Sequence, residues 1–418
     1  MIYLVKLGKL MDSELNNQKN NLNGIRAYQA RWILPISQPP IENGIIVVEG
    51  EKIIYVDFAE NIKGDLTTPP IDLGDVVVFP GFINVHTHLE HNLFAERPSD
   101  FFSYQAALRA YNTDVSEDEK VEITKKNIEE CHRFGTIALA DFSLEGASSY
   151  PLLESHLFAR VFHEITGFRG FDAPFILKKH HDKIKNFPIN KKVTRHLTPS
   201  SIWSLSPQLF REINVNERHI AIHLNMIEEE KEFILNGCGA LKQYLLALED
   251  YDYSWEVPGI SPIKYFFNNH FYARHNILIH MVHVDESDIE TIKESPSKVN
   301  ICVCPRSDEA LMLDNAPVNM FQRKGLNICI GTESKAIVPD LDVRNEMEKC
   351  VDLYGVSPEA ALKFATLNGA YAVGFHREVG SLEPGKTAKC LVLKCGNSRL
   401  MDPYAAILES SESIEWLL

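Results

Sequence analysis

Two textures along the chain predict an α/β protein with a small β-rich unit assembled from its two ends. Beyond Pro80, short apolar runs such as Ile137-Ala138-Leu139-Ala140, Ile220-Ala221-Ile222 and Ile277-Leu278-Ile279 alternate with longer stretches of helical periodicity. Repeated strand and helix units of this kind imply a parallel sheet or a barrel. Before Val78, and again after Val379, the pattern changes to short apolar runs separated by turn residues, which read as paired strands.

Taken in order, residues 11 to 24 are polar and asparagine-rich, as in Asn16-Asn17-Gln18-Lys19-Asn20-Asn21. Such a segment buries too little apolar surface to order itself, so a mobile leader is expected over 1–24. Gly44-Ile45-Ile46-Val47-Val48 and Lys52-Ile53-Ile54-Tyr55-Val56, with Glu49, Gly50 and Glu51 between them, predict a hairpin. Ser116 and Glu119 have capping-box spacing ahead of Val121, Ile123 and Ile128, with Gly135 as a stop, and predict a helix. The tail, Val379-Gly380-Ser381-Leu382-Glu383-Pro384-Gly385-Lys386 followed by Leu391-Val392-Leu393, is a turn and then a closing strand.

The bulk composition narrows the function. With 45% hydrophobic and 24% charged residues, the 418-residue chain is globular and long enough for a large catalytic-type domain plus a lesser one. A formal net charge of -15 argues against a nucleic-acid partner, which would require a basic surface. The eight cysteines form neither a CxxC pair nor a secreted framework, so they read as reduced thiols; Cys302 and Cys304, on one face of a strand, fit core packing better than metal binding. No segment supplies the roughly twenty apolar residues of a membrane span, and the expected location is the cytoplasm.

The residues that suggest chemistry are His86 and His88. Two apart at the end of a strand, they point the same way and can reach one ion, which makes half a metal site. The preceding Phe79-Pro80-Gly81-Phe82-Ile83-Asn84-Val85 raises the signal above a chance HxH.

From Val78 to His88 the sequence resembles the first barrel strand of the amidohydrolase superfamily. Further landmarks follow in order: Gly135-Thr136 with Asp141, Ser206-Pro207, His223-Leu224, His280 with His283, Cys304-Pro305-Arg306-Ser307, Gly331-Thr332 and Ala365-Thr366-Leu367-Asn368-Gly369-Ala370. Order and spacing are most similar to the chlorohydrolase and adenine-type deaminase branch, which includes aminofutalosine and methylthioadenosine deaminases. The resemblance implies a TIM-like (β/α)8 barrel over 80–376 and a small composite β-sandwich from 25–79 plus 377–418. It also implies one divalent metal, zinc or iron, held by His86, His88, His223 and Glu333. His280 and Glu333 would be catalytic, His280 by orienting the reacting water. Glu90, Glu164 and Gln208 are assigned to a small-molecule substrate, and the branch's habit implies a homodimer. The expected reaction is deaminase-type hydrolysis of a C–N bond in a purine-like heterocycle.

The chain departs from the branch at several of these places. Met226 stands where the branch has a glutamate three residues after the third histidine, Glu333 stands for aspartate, Gln208 for a substrate-contacting histidine, Asp308 for asparagine, and Lys389-Cys390 for Ala-Asp. Glu228, Glu229 and Glu230, which follow closely, and Glu90, two residues beyond His88, could stand in for the missing acid/base, but acidic residues suit a helix's first turn without any catalytic role, and a solvated helix start is the expected reading of the three. The alternative function is therefore a catalytically impaired homologue that serves as a binding or structural protein.

Overall fold

The computed structural model describes residues 24–418 apart from 63–68, 93, 95, 145, 270–273, 396–401 and 411, so the expected leader, save for Gly24, lies outside the described residues. The chain divides into two compact units, Met1–Gly81 with Phe375–Leu418, and Phe82–Gly374. Strands β1 (Ile25–Ile33), β2 (Ile41–Glu49), β3 (Lys52–Phe58), β4 (Ile71–Asp72) and β5 (Val76–Pro80) precede the second unit. That unit carries β6 (Phe82–Thr87), β7 (Thr136–Ser143), β8 (Phe158–Ile165), β9 (Val193–Pro199), β10 (His219–Leu224), β11 (His275–His280), β12 (Lys298–Val303) and β13 (Asn327–Ile330). Strands β14 (Cys390–Lys394) and β15 (Glu415–Trp416) follow it.

The first unit is a seven-stranded mixed sheet in the order β15-β14-β5-β1-β2-β3, with β4 on β1. The predicted hairpin is β2 and β3, antiparallel, turning at Gly50, whose φ of 57° suits a residue without a side chain. Alternation buries both faces: Ala27, Ile45 and Val47 pack on one, and Tyr28, Ile46 and Val48 on the other.

In the second unit, β6-β7-β8-β9 and β10-β11-β12-β13 are two four-stranded sheets, parallel throughout. Bridges join them at both seams. Ser201 pairs with His223 and Thr87 with Glu333. The His223 N–H donates to the Ser200 carbonyl at 3.1 Å, and the Thr332 and Glu333 N–H groups both donate to the His86 carbonyl, at 2.9 and 3.0 Å. The two sheets thus close into the eight-stranded parallel barrel. Strands buried on both faces need apolar side chains on both, which explains the continuous apolar runs in the sequence. The helix Glu117–Arg133 carries the expected capping box between Ser116 and Glu119.

At the second seam the barrel depends on a missing side chain. A Cβ on Gly331 would lie 2.5 Å from the His86 Cβ, 2.8 Å from its N and 2.9 Å from its O. These are fixed atoms of β6, so Gly331→Ala is expected to force the seam apart and lower stability by about 1–3 kcal/mol, the usual penalty of overpacking. The midpoint of chemical denaturation measures it.

All eight cysteines are free, and all but Cys238 are buried, Cys302 and Cys304 among them. Among the described residues no helix is long and apolar enough to cross a membrane.

Candidate active site

The C-terminal ends of the barrel strands bring the predicted ligands together. His86 lies in β6 and His88 just beyond it, His223 is near the end of β10, and Glu333 follows β13. One donor atom from each lies within 4.8 Å of all the others. His223 Nε2 and His86 Nε2 are 3.2 Å apart, and Glu333 Oε1 is 3.4 Å from His88 Nε2 and 4.0 Å from His86 Nε2. A tetrahedral ion with nitrogen ligands at about 2.0–2.1 Å separates its donors by roughly 3.3 Å. The set therefore fits a small divalent cation.

Electrostatics point the same way. Burial, reinforced by His223, His88 and His280, holds the His86 imidazole well below its ordinary pKa. Burial and His280 likewise press His223 down to about 3. Two neutral rings facing each other through Nε2 cannot both present a lone pair without a cation or a shared proton between them. At His223 the tautomer is decided: its Nδ1 lies 2.8 Å from the Ser200 carbonyl, which only accepts, so Nδ1 carries the proton and Nε2 is free to ligate. Burial opposes charge on His88 too, but Glu333, Glu164, Asp141 and Glu90 outweigh it and raise that pKa. The metal-ready rings thus share their pocket with an excess of acidic groups.

Glu333 is held by the Tyr104 hydroxyl, which donates to Oε1 at 3.0 Å, and by the Ser334 N–H. Burial and the negative charge of Glu333 drive the Tyr104 phenol well above its ordinary pKa, so it stays a donor. His280 Nδ1 lies 2.7 Å from Asp308 Oδ1, a pair that fixes the ring's orientation. The backbone is strained at this rim: φ is 51° at Asn225, 70° at His280 and 62° at Glu333. Such residues cost on the order of 1–3 kcal/mol each and persist where surrounding structure demands them.

The site opens into two contiguous cavities of about 110 and 210 Å³, both bordered by His88, Glu164, Ser200 and Trp203. Together they reach the lower end of the small-molecule pocket range, roughly 300 Å³. The first is lined by the site and also by Phe101, Tyr104, Met226, Ile227 and Glu230; the second includes Glu90 and His91. Glu164 sits between two histidines, its oxygens 3.8 Å from His88 Nδ1 and 3.6 Å from His223 Nδ1. Glu90 is buried, and burial pushes its carboxyl up to about 7, although it accepts hydrogen bonds from the Ser143 hydroxyl and the Leu144 N–H. Gln208 is different. It is exposed in the first turn of the helix Pro207–Asn216 and borders neither cavity.

Tyr104, Trp203 and Ser200 are contributed by segments that carry no motif. Only the apolar stretch around Phe101-Phe102-Ser103-Tyr104 hinted at a wall, since an aromatic-rich helix just after a ligand strand has few other places to bury itself.

The model of the amidohydrolase family matches residues 77–414. The chain belongs to the amidohydrolase family. A 5-methylthioadenosine/S-adenosylhomocysteine deaminase from Thermoanaerobacter pseudethanolicus is 26% identical over 391 residues, spanning 85% of this amidohydrolase and 81% of the relative. The aminofutalosine deaminase of Helicobacter pylori, solved in complex with methylthio-coformycin, superposes with a TM-score of 0.81 at 18% identity over 93% of this chain and 97% of that one. An adenosine deaminase from Xanthomonas campestris with bound zinc gives a TM-score of 0.74 at 18% identity, with coverage of 92% and 88%. At these identities the two structures speak for the fold.

Proposed function

We propose that this amidohydrolase releases ammonia from an amino-bearing purine-like heterocycle, with one divalent ion, zinc rather than iron, held by His86, His88, His223 and Glu333. The observation that carries the reading is the buried donor set, with opposed neutral imidazoles 3.2 Å apart and a carboxylate beside them. The names of the relatives, deaminases of adenosine analogues, support the reaction class, and the zinc-bound neighbour supports the metal.

When bound by three imidazoles and a carboxylate, such an ion lowers the pKa of water toward 7 and so supplies a nucleophile at neutral pH. The rest falls to the chain's own residues. Tyr104 keeps Glu333 aimed at the donor set through its hydroxyl. His280, tied to Asp308 through Nδ1, borders the cavity and keeps Nε2 for holding the reacting oxygen. Phe101 and Trp203, edge to face with ring centres 5.9 Å apart, give the cavity an apolar wall suited to a flat ring. Glu164 and Glu90 offer acceptors for the substrate's N–H and hydroxyl groups.

The impaired-homologue alternative draws on Met226, which lines the cavity at the place where the family resemblance expects a proton-carrying glutamate. Methionine transfers no proton. Yet three imidazoles and a carboxylate buried together without an ion are costly, so a chain released from metal binding would gain by losing them. The test is ammonia release from a panel of aminopurine nucleosides, with zinc-loaded and chelator-stripped protein. Release is expected only from the loaded form. No release from any nucleoside by protein holding one zinc would overturn the reading.

A further inference from the structure

We infer that Glu230 is the acid/base of this site, carrying protons between the attacking water and the departing amino group in place of a carboxylate at Met226. The inference rests on the deaminase reading above.

The helix Glu228–Asn236 begins with three glutamates, and their environments differ sharply. Glu228 is exposed and stands 3.3 Å from His283 Nδ1. Glu229 is partly exposed. Glu230 is 1% exposed and borders the same cavity as His88, His223, His280 and Glu333, beside Met226 and Ile227. The expectation of a solvated helix start holds for the first and fails for the third, because the helix turns its third residue inward.

One oxygen of this carboxyl, Oε1, is buried with no hydrogen-bond partner among the described residues. An unsatisfied buried carboxylate oxygen costs about 1–3 kcal/mol or more, which is tolerated where a ligand completes it. Burial pushes the Glu230 carboxyl up to about 8, against hydrogen bonds from the Asn225 and Met226 backbone N–H groups. A group that titrates near neutrality can both take and give a proton.

The other titratable groups on this cavity have other tasks. His88, His223 and Glu333 form the donor set, His280 is tied to Asp308, Tyr104 is tied to Glu333, and Glu164 lies against two of the ligating rings. Glu230 has neither a place in the donor set nor, unlike Glu164 with His88 and His223, an ion pair to a ligating ring among the described residues.

The proton bookkeeping closes with a single carrier. As the water oxygen bonds to the amino-bearing ring carbon, one O–H bond breaks and its proton passes to Glu230 and then to the adjacent ring nitrogen. The remaining hydroxyl proton returns through Glu230 to the amino nitrogen. The C–N bond then breaks with its electron pair on nitrogen, a ring carbonyl remains, and ammonia leaves. Water is the only co-reactant.

The experiment compares wild type, Glu230→Gln and, as a control, Glu229→Gln, all zinc-loaded. Glu229→Gln removes the same charge from the same first turn and is expected to leave kcat within a few-fold. Glu230→Gln is expected to keep its zinc while kcat for ammonia release falls by roughly 10²–10⁴-fold, the usual contribution of a general acid/base. A second readout needs no turnover. Infrared titrations of the two purified proteins should differ by a protonated-carboxyl component that persists well above the ordinary carboxylate range in wild type and is missing from Glu230→Gln, while the component of Glu90 remains in both. Ammonia release that survives Glu230→Gln, or infrared titrations that are identical in the two proteins, overturns the assignment of Glu230 alone. Absence of release from zinc-loaded wild type overturns the deaminase reading, and this inference with it.

Discussion

Replacing His86 with alanine is expected to abolish both metal retention and ammonia release. The ring places Nε2 3.2 Å from His223 Nε2 and is fully buried, so alanine there leaves the donor set one nitrogen short. The loss in affinity should exceed the roughly 10–100-fold that follows removal of an outer partner of a metal ligand. Stability gives an independent measure. An ion that binds only the folded state stabilises wild type by about 2.7 kcal/mol at one hundred times its Kd. Thermal unfolding of wild type should therefore shift upward with added zinc, and that of His86→Ala should not. An equal shift in both proteins would place the ion elsewhere.

The second large effect is expected at Glu333. Its carboxylate lies 3.4 Å from His88 Nε2 and accepts a hydrogen bond from Tyr104 at 3.0 Å, in surroundings where burial holds His86 and His223 neutral. Glu333→Gln keeps the shape and removes the negative charge that offsets the cation. Zinc affinity is expected to fall by roughly 100-fold or more. Glu333→Asp keeps the charge but withdraws the carboxylate by about one C–C bond length, enough to loosen a preorganised site, and should be intermediate. Metal titration of the three proteins orders them. Wild-type affinity in Glu333→Gln would remove Glu333 from the donor set.

What the sequence disclosed about this molecule follows from what is local. Runs such as Ile137–Ala140 and Ile220–Ile222 announced barrel strands because a strand covered on both faces must be apolar throughout. His86 and His88 were visible because alternation along one strand places both on one side. Barrel closure was not visible in any such pattern, since it depends on two bridges, at Ser201 and His223 and at Thr87 and Glu333, and on the absence of a Cβ at Gly331.

The walls of the site were less legible for a related reason. Tyr104, Trp203 and Glu230 reach the cavity from segments after the strands, where tertiary packing, not periodicity, decides which way a side chain points. The three glutamates at 228–230 are indistinguishable in sequence, and only the direction of one helix turn separates the buried one. Gln208 shows the converse: a position chosen by its place in a motif, after Ser206-Pro207, lies on an exposed helical turn away from the cavity.

Anomalous X-ray diffraction at the zinc edge, from crystals of zinc-loaded protein, tests the central claim most directly. One peak is expected at the strand ends, within about 2.0–2.3 Å of a nitrogen from each of His86, His88 and His223 and of a Glu333 oxygen. An empty donor set, or a zinc peak bound by other residues, would contradict the assignment of this barrel as a metal-dependent hydrolase site.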